Sequence, residues 1–214
     1  MAVALAALLG GCAGSADDDG KNAAGASPAD RSEAKGAAAS GGSVGAAGSD
    51  CALPVRFDVA ERWKPKAIDA GAEPSKGSGD DLGAAVADSL LHQGPVTAAC
   101  EIDAKPAGHI GFLRVWTGKA GTTDPGTVLR QFVAAEDGAG KATYRSVRTG
   151  GGLKGVEVEY LYTSKLLDET KKETALAVGT PDGPVVLHLG GMDTEEHEAM
   201  RPAYELAKRT LRLG

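Results

Sequence analysis

The sequence predicts an α+β domain, a mostly antiparallel sheet layered with helices as an α/β/α sandwich, preceded by a disordered tether. Three observations point to this fold. Several segments alternate apolar and polar residues with the period of two expected of half-buried strands. Two apolar runs, 174–178 and 185–189, flank the turn sequence Thr-Pro-Asp-Gly at 180–183, which is typical of an antiparallel hairpin. Helical apolar stripes follow Asp124 and Asp193, residues that can cap a helix.

The first half of the domain predicts strands separated by one helix. That helix begins behind Asp80 or Asp81 and ends before Gly94-Pro95, because glycine followed by proline stops a helix. The third strand carries apolar residues on both faces, which favours a central position in the sheet. The predicted strands of this half are 55–59, 96–102 and 109–117.

The second half predicts more strands and two helices. Asp124 and Pro125 form the start of the first helix, and Asp193 with Glu196 forms a capping box for the last. Pro202 is expected to kink the last helix or to mark its true start. The buried stripes are predicted to contain Val128, Leu129, Phe132 and Val133, and then Met200, Ala203, Tyr204, Ala207 and Leu211. Further strands are predicted at 144–147, 156–162, 174–178 and 185–189.

The predicted strand 156–162 contains two glutamates on one of its faces. Glu157 and Glu159 are two positions apart in an alternating pattern. We expect both to face water or a partner, as polar residues of a half-buried strand do.

The chain opens on a short apolar run, residues 2–9, followed by Gly10 and Gly11. Such a run is far below the roughly 20 apolar residues of a spanning helix, and with small residues behind it is typical of a secretory signal. Residues 1–11 are therefore predicted to be a signal peptide. No lysine or arginine precedes the run, which predicts that the natural start lies upstream and that this signal peptide is truncated.

The four residues Leu9-Gly10-Gly11-Cys12 resemble the lipobox of bacterial lipoproteins in its L-x-G-C form. The resemblance implies cleavage before Cys12 and attachment of a diacylglyceryl group to its thiol, with palmitate-type acyl chains. Two acyl chains give stable anchoring where one is marginal. The alternative is an ordinary signal peptide with an unrelated cysteine. The lipobox predicts a lipid-anchored protein on the outer face of the cell membrane, with the membrane as a partner.

Residues 12–50 are mostly alanine, glycine and serine, with Val44 as the one branched aliphatic residue. A segment of this composition buries too little apolar area to offset the entropy of ordering it. We therefore predict a disordered tether at 12–50 and a single folded domain at 51–214. Lysine and arginine number 23 against 29 acidic residues in the whole chain, which argues against binding to nucleic acid.

The chain contains three cysteines, and lipidation of Cys12 would leave two, Cys51 and Cys100. A pair of cysteines outside the cytoplasm is expected to form a disulfide. The alternative is two independent thiols, with Cys100 buried as a small hydrophobic residue.

The sequence predicts no catalytic residues, no metal site and no cofactor, because the motifs for nucleophilic, metal or phosphate chemistry are missing. Asp193 and His197 are one helical turn apart, but acidic residues at a helix start are better explained by the macrodipole. His188, in a predicted strand, is best explained as a satisfied, partly buried histidine. Trp63 and Trp116 are expected to pack in the core or at its edge, and either is a candidate to line a ligand cleft.

The folded part is similar to the Mog1/PsbP-like fold, and within it to the LpqN-type actinobacterial lipoproteins. The resemblance covers residues 55–213 and depends on the segments VRFDVAERW, RVWTG, VEVEYLYT and AYELAKRTLRL. It implies a single antiparallel sheet between helices, no common catalytic residues, and roles as binding or assembly modules of the cell envelope.

These observations predict a membrane-anchored, extracytoplasmic lipoprotein that acts as a non-enzymatic binding or assembly module, with an envelope protein or a small ligand as partner. The alternatives are an exported hydrolase whose active site follows no recognised motif, and a small-ligand-binding lipoprotein.

Overall fold

An antiparallel sheet of eight strands is the centre of the fold. The computed structural model describes residues 36–69, 91–121 and 124–214. The signal peptide, Cys12 and most of the predicted helix behind Asp80 or Asp81 lie outside the described residues. The predicted end of that helix at Gly94-Pro95 is wrong, because His92–Gln93 is a strand and Gly94-Pro95 forms the turn after it. The strands are β1 (Ser40–Val44), β2 (Val55–Ala60), β3 (Lys64–Ala67), β4 (His92–Gln93), β5 (Val96–Asp103), β6 (Gly111–Gly118), β7 (Ala139–Arg148), β8 (Lys154–Ser164), β9 (Glu169–Thr180), β10 (Gly183–Gly191) and β11 (Arg212–Leu213). The helices of the described part are α1 (Pro125–Ala134), α2 (Thr194–Thr210) and a 3-10 turn at Lys105–Ala107.

The main sheet has the strand order β3-β5-β6-β10-β9-β8-β7, and β4 pairs with β5. All of these pairs are antiparallel. Helix α1 covers one face of the sheet, called the α1 face. Helix α2 covers the other, the α2 face, together with a small sheet of order β1-β2-β11. The predicted α+β layers are confirmed, and the small sheet is an addition that the sequence did not indicate.

Alternation along β10 divides its side chains between two cores. Val185, Leu187 and Leu189 belong to the core of the α2 face, whereas Val186 belongs to that of the α1 face. The position of β6 between β5 and β10 confirms the prediction of a central strand with apolar residues on both faces.

Both described helices begin where their capping residues predict. The carboxylate of Asp124 accepts a hydrogen bond from Thr127 N at 2.8 Å, and the carboxylate of Asp193 accepts one from Glu196 N, also at 2.8 Å. Pro202 lies inside α2 and does not start it. The Pro202 carbonyl oxygen accepts a hydrogen bond from Ala38 N at 2.9 Å, so this part of α2 contacts the beginning of the folded chain.

The folded unit begins at Gly36, earlier than the predicted boundary at residue 51. Residues of the predicted tether form β1, which pairs with β2 through main-chain groups and therefore needs few apolar side chains. Val44 is only 1% exposed. A Cβ atom on Gly45 would lie 1.9 Å from the Val55 carbonyl oxygen, so the glycine allows a close approach of two backbones.

A disulfide joins Cys51 to Cys100, as predicted, and both residues are buried. It depends on an irregularity in β5. The register shifts between Ala98 and Cys100, so Val96 and Ala98 face the α1 core while Cys100 faces the α2 core, where Cys51 lies. A regular strand would have kept the two cysteines on different sides of the sheet.

The prediction that both strand glutamates face solvent is wrong for Glu157. The Glu157 side chain is fully buried under α2, whereas that of Glu159 is 43% exposed. The Glu157 carboxylate accepts hydrogen bonds from Tyr204 Oη at 2.7 Å, Arg145 Nε at 2.8 Å and Lys208 Nζ at 3.1 Å. Glu157 therefore links α2 to the strands β7 and β8.

Candidate functional site

A cavity of about 710 Å³ lies at one end of the main sheet, where β5 and β10 begin and β6 ends. Its walls combine apolar side chains with threonine hydroxyls, one histidine and one lysine. The described residues that line it are His92, Gly94, Pro95, Val96, Thr97, Thr117, Gly118, Lys119, Ala120, Val128 and Pro184. Lys119 supplies a positive charge, and no described lining residue carries a carboxylate.

The turn between β4 and β5 shapes the cavity. Gly94 has φ of 58°, a backbone conformation that favours glycine, and a Cβ atom there would lie 2.8 Å from the Gln131 carbonyl oxygen. His92 and Thr97 are cross-strand neighbours, and His92 Nδ1 lies 3.0 Å from Thr97 Oγ1. The cavity therefore offers hydrogen-bonding groups and an ammonium group beside an apolar wall.

A chain of buried polar groups crosses the α1 face behind α1. His188 Nε2 lies 2.8 Å from Glu173 Oε2 and 3.2 Å from Tyr160 Oη, and Tyr160 Oη donates to Glu136 Oε2 at 2.7 Å. Lys171 Nζ contacts the second Glu173 oxygen at 2.8 Å. The prediction of a satisfied, partly buried His188 is confirmed, since the residue is 6% exposed and hydrogen-bonded.

The pKa values of this chain follow from burial and charge. Burial raises the pKa of the Glu173 carboxyl, but the attraction and hydrogen bonds of His188 and Lys171 outweigh it, and the net pKa is lowered. Burial and the neighbouring Glu136 and Glu173 carboxylates raise the pKa of Tyr160 well above its ordinary value. Tyr160 thus remains protonated as a donor to Glu136. The charged groups of this buried cluster therefore interact with one another.

Both tryptophans predicted as cleft candidates are buried. Trp63 is 7% exposed in the α2 core, and Trp116 is 2% exposed in the α1 core, edge-on to Phe132 with ring centroids 5.5 Å apart. Neither is among the described residues that line the cavity. The sequence did not indicate the cavity residues, because they come from three strand ends that meet only in the fold.

His197 is buried in α2 and turned toward the sheet. Its Nε2 lies 3.0 Å from Thr174 Oγ1, and its Nδ1 has no hydrogen-bond partner among the described residues. Burial lowers the pKa of His197 to about 4, and the attraction of Glu173 offsets only part of that effect. Asp193 caps the helix and His197 contacts Thr174, so both residues have structural roles. Among residues 36–69, 91–121 and 124–214, no three acidic, cysteine or histidine side chains are grouped to hold a metal ion.

We expect His197 to make folding less favourable by about 3 kcal/mol as the pH falls from 6.5 to 4. In this range the unfolded chain protonates His197, whereas the folded protein keeps it neutral, so acid favours the unfolded state. Urea unfolding at a series of pH values measures the effect. A His197→Gln variant should lose most of this pH dependence. A His92→Gln variant, changed at an exposed histidine, should retain it. An unchanged pH dependence in His197→Gln would refute the assignment.

The fold is a disulfide-linked α+β domain, and the sequence that precedes it contains the lipobox-like residues Leu9-Gly10-Gly11-Cys12. A family model described as "Uncharacterised lipoprotein" matches residues 20–211. The chain belongs to this lipoprotein family. No helix among the described residues is long and apolar enough to cross a membrane.

Comparison with curated proteins finds no match. Among solved structures, the chain is similar to the solution structure of cyanobacterial PsbP (CyanoP) from Synechocystis sp. PCC 6803. The identity is 11% and the TM-score is 0.46, with 75% of this chain and 87% of that chain covered.

Proposed function

We propose that the protein is a non-enzymatic binding module of the cell envelope, anchored at the outer face of the membrane through an acylated Cys12. Membership of a lipoprotein family and the Leu-Gly-Gly-Cys sequence support the anchor. The buried Cys51–Cys100 disulfide supports an oxidising compartment, where such bonds persist.

The main support for a binding role is the cavity at the end of the sheet where β5 and β10 begin and β6 ends. Its volume of about 710 Å³ lies within the range of small-molecule sites. Val128 and Pro184 supply apolar contact, while Thr117 and Lys119 supply donors. This combination fits a small molecule with an apolar body and an acidic or carbonyl-bearing group.

The contact between His92 and Thr97 is the observation that favours an exported hydrolase as second candidate. A hydroxyl beside an imidazole is the arrangement of an activated nucleophile. The register of β4 with β5 places these two residues opposite each other, so strand pairing alone also explains the contact. The two functions differ in whether a bound molecule is consumed.

Native mass spectrometry of the purified chain, after incubation with the small-molecule fraction of the cell envelope, tests the proposal. We expect an adduct of discrete mass on the wild-type protein. Thr117→Trp, which fills the cavity, should abolish the adduct. Thr143→Trp, on an exposed position of β7, is the matched control and should retain it.

Two outcomes would contradict a non-enzymatic binding site in the cavity. One is an adduct that forms equally on Thr117→Trp, which would place binding elsewhere. The other is conversion of the bound molecule to products that requires Thr97, detected as its loss in Thr97→Val, which would identify the protein as an enzyme.

A further inference from the structure

Four exposed apolar side chains lie at the end of the main sheet opposite the cavity. They are Ile110, Leu166, Leu167 and Met192, which are 49%, 92%, 66% and 54% exposed. Met192 N donates to the Ile110 carbonyl oxygen at 3.0 Å, and Met192 and Leu167 line the same groove. We call these four residues the apolar tip. Single exposed apolar residues are common, but a group of this kind marks an interaction surface.

The hairpin of β8 and β9 carries the two leucines of the tip beyond the neighbouring strands. β7 pairs with β8 only as far as Tyr162, and β10 pairs with β9 only from Thr174. The last pair of the hairpin is Ser164 with Glu169, and the two leucines lie in the turn beyond it. The turn therefore has no described strand on either side. Its two leucines are exposed and can contact a surface outside the protein.

The lysines near the tip are paired within the protein. Lys165 pairs with Asp137 at 2.9 Å, and Lys172 pairs with Glu198 at 2.7 Å. The groove-lining Lys171 is held by Glu173. Asp168 and Glu169 directly follow the two leucines, and neither carboxylate has an ion-pair partner among the described residues. The unpaired charge beside the leucines is therefore negative, and the tip fits a zwitterionic lipid surface better than an anionic one.

The position of the lipobox cysteine places such a surface within reach. Cys12 is 24 positions before Gly36, so the chain between them spans at most about 80 Å. Ala38 contacts Pro202, about 12 Å along α2 from its start at Thr194. Thr194 Oγ1 accepts from Lys172 N, and Lys172 is about 20 Å of strand from Leu166. The tip can therefore touch the bilayer in which Cys12 is anchored.

We propose that the apolar tip inserts into the interfacial layer of the membrane that anchors the chain. The hairpin then faces the lipid, and the cavity at the opposite end of the sheet faces away from it. This inference rests on the proposed anchoring through Cys12. Because the unpaired groups beside the leucines, Asp168 and Glu169, are carboxylates, insertion is expected to be stronger with zwitterionic than with anionic lipids.

The test uses the acylated full chain in phosphatidylcholine vesicles, with a fluorophore that brightens in apolar surroundings attached to Leu166→Cys. The other cysteines are paired or acylated, so this thiol is the one that reacts. Leu213→Cys, in the small sheet, is the matched control because Leu213 is also exposed, at 46%. Nitroxide-bearing lipid should quench the label at position 166 at least about twofold more than the label at position 213.

A second variant separates insertion from an effect of the label. With the fluorophore on Met192→Cys, the added changes Leu166→Ser and Leu167→Ser should abolish most of the quenching by nitroxide lipid. Quenching that persists unchanged in this variant overturns the inference.

Flotation of the same vesicles distinguishes failure of the anchor from failure of the tip. A chain that floats with the vesicles, but whose labels at 166 and 213 are quenched equally, overturns the inference and leaves the anchor intact. A chain that does not float overturns both. Brightening at position 166 without vesicles, dependent on protein concentration, identifies a second copy as the occupant and also overturns the inference.

Discussion

Replacing Glu157 with alanine is expected to lower the free energy of unfolding by about 3–5 kcal/mol. The change removes a buried carboxylate and leaves Tyr204, Arg145 and Lys208 without their shared acceptor. Tyr204 is fully buried and has no access to water in exchange. Removing one partner of a buried charged group is costly because the remaining groups stay desolvated.

Glu159→Ala is the matched control for this prediction. Glu159 lies two residues along β8 on the same face and contacts Arg145 and Arg201, but its side chain is 43% exposed. Exposed ion pairs contribute about 0–1 kcal/mol, so this variant should unfold almost as the wild type does. Urea unfolding of both variants gives the comparison. Equal effects of the two substitutions would show that Glu157 is not the link between α2 and the sheet.

Acid should weaken the Glu157 contact in a defined range. Burial raises the pKa of Glu157, but the hydrogen bonds of Tyr204 and Arg145 and the charge of Lys208 outweigh it and lower the net pKa. The contribution is therefore present above the ordinary carboxyl pKa of 4.5 and is lost as the pH falls through the lower folded value. His197 acts at higher pH, between 6.5 and about 4, so the two effects begin in different ranges.

Removing the disulfide by the double substitution Cys51→Ala and Cys100→Ala is expected to cost about 4 kcal/mol, the chain-entropy value for a loop of about 50 residues. The bond connects the segment between β1 and β2 to β5 and so restrains the unfolded chain. Thermal unfolding of the oxidised and reduced wild-type protein and of the double variant measures this effect.

The double variant also provides its own control. A reducing agent should lower the Tm of the wild-type protein to about that of the variant and leave the variant unchanged. A variant as stable as the oxidised wild-type protein would contradict the stabilising role. Alkylation of Cys51 and Cys100 in the wild-type protein without prior reduction, located by peptide mass, would show free thiols at these two positions.

Local sequence patterns predicted much of the fold. Asp124 with Pro125 gave the start of α1, and the Thr-Pro-Asp-Gly turn gave the hairpin of β9 and β10. These features could be predicted from the sequence because a cap or a tight turn depends on residues a few positions apart. The pairing of Cys51 with Cys100 was predicted from the number of cysteines and from the expected location outside the cytoplasm, without any geometric information.

The candidate sites could not be predicted from local sequence patterns. The cavity takes its walls from the beginnings of β5 and β10 and the end of β6, and the apolar tip joins Met192 to a turn 25 positions earlier. The polar chain of Glu173, His188 and Tyr160 comes from three adjacent strands. No short segment contains two of these residues in a recognisable motif, so composition and spacing carry no signal for them.

The sequence by itself predicted seven of the described strands, the caps of both described helices and the disulfide partners, and it contains the lipobox-like residues at Cys12. The tertiary structure decided which of two similar glutamates is buried, on which face Cys100 lies, and that the glycine- and serine-rich residues of β1 join a sheet. The physical reason is that local patterns fix backbone conformation. Burial of a polar side chain depends on the element packed above it, and strand pairing by main-chain groups leaves no mark in composition.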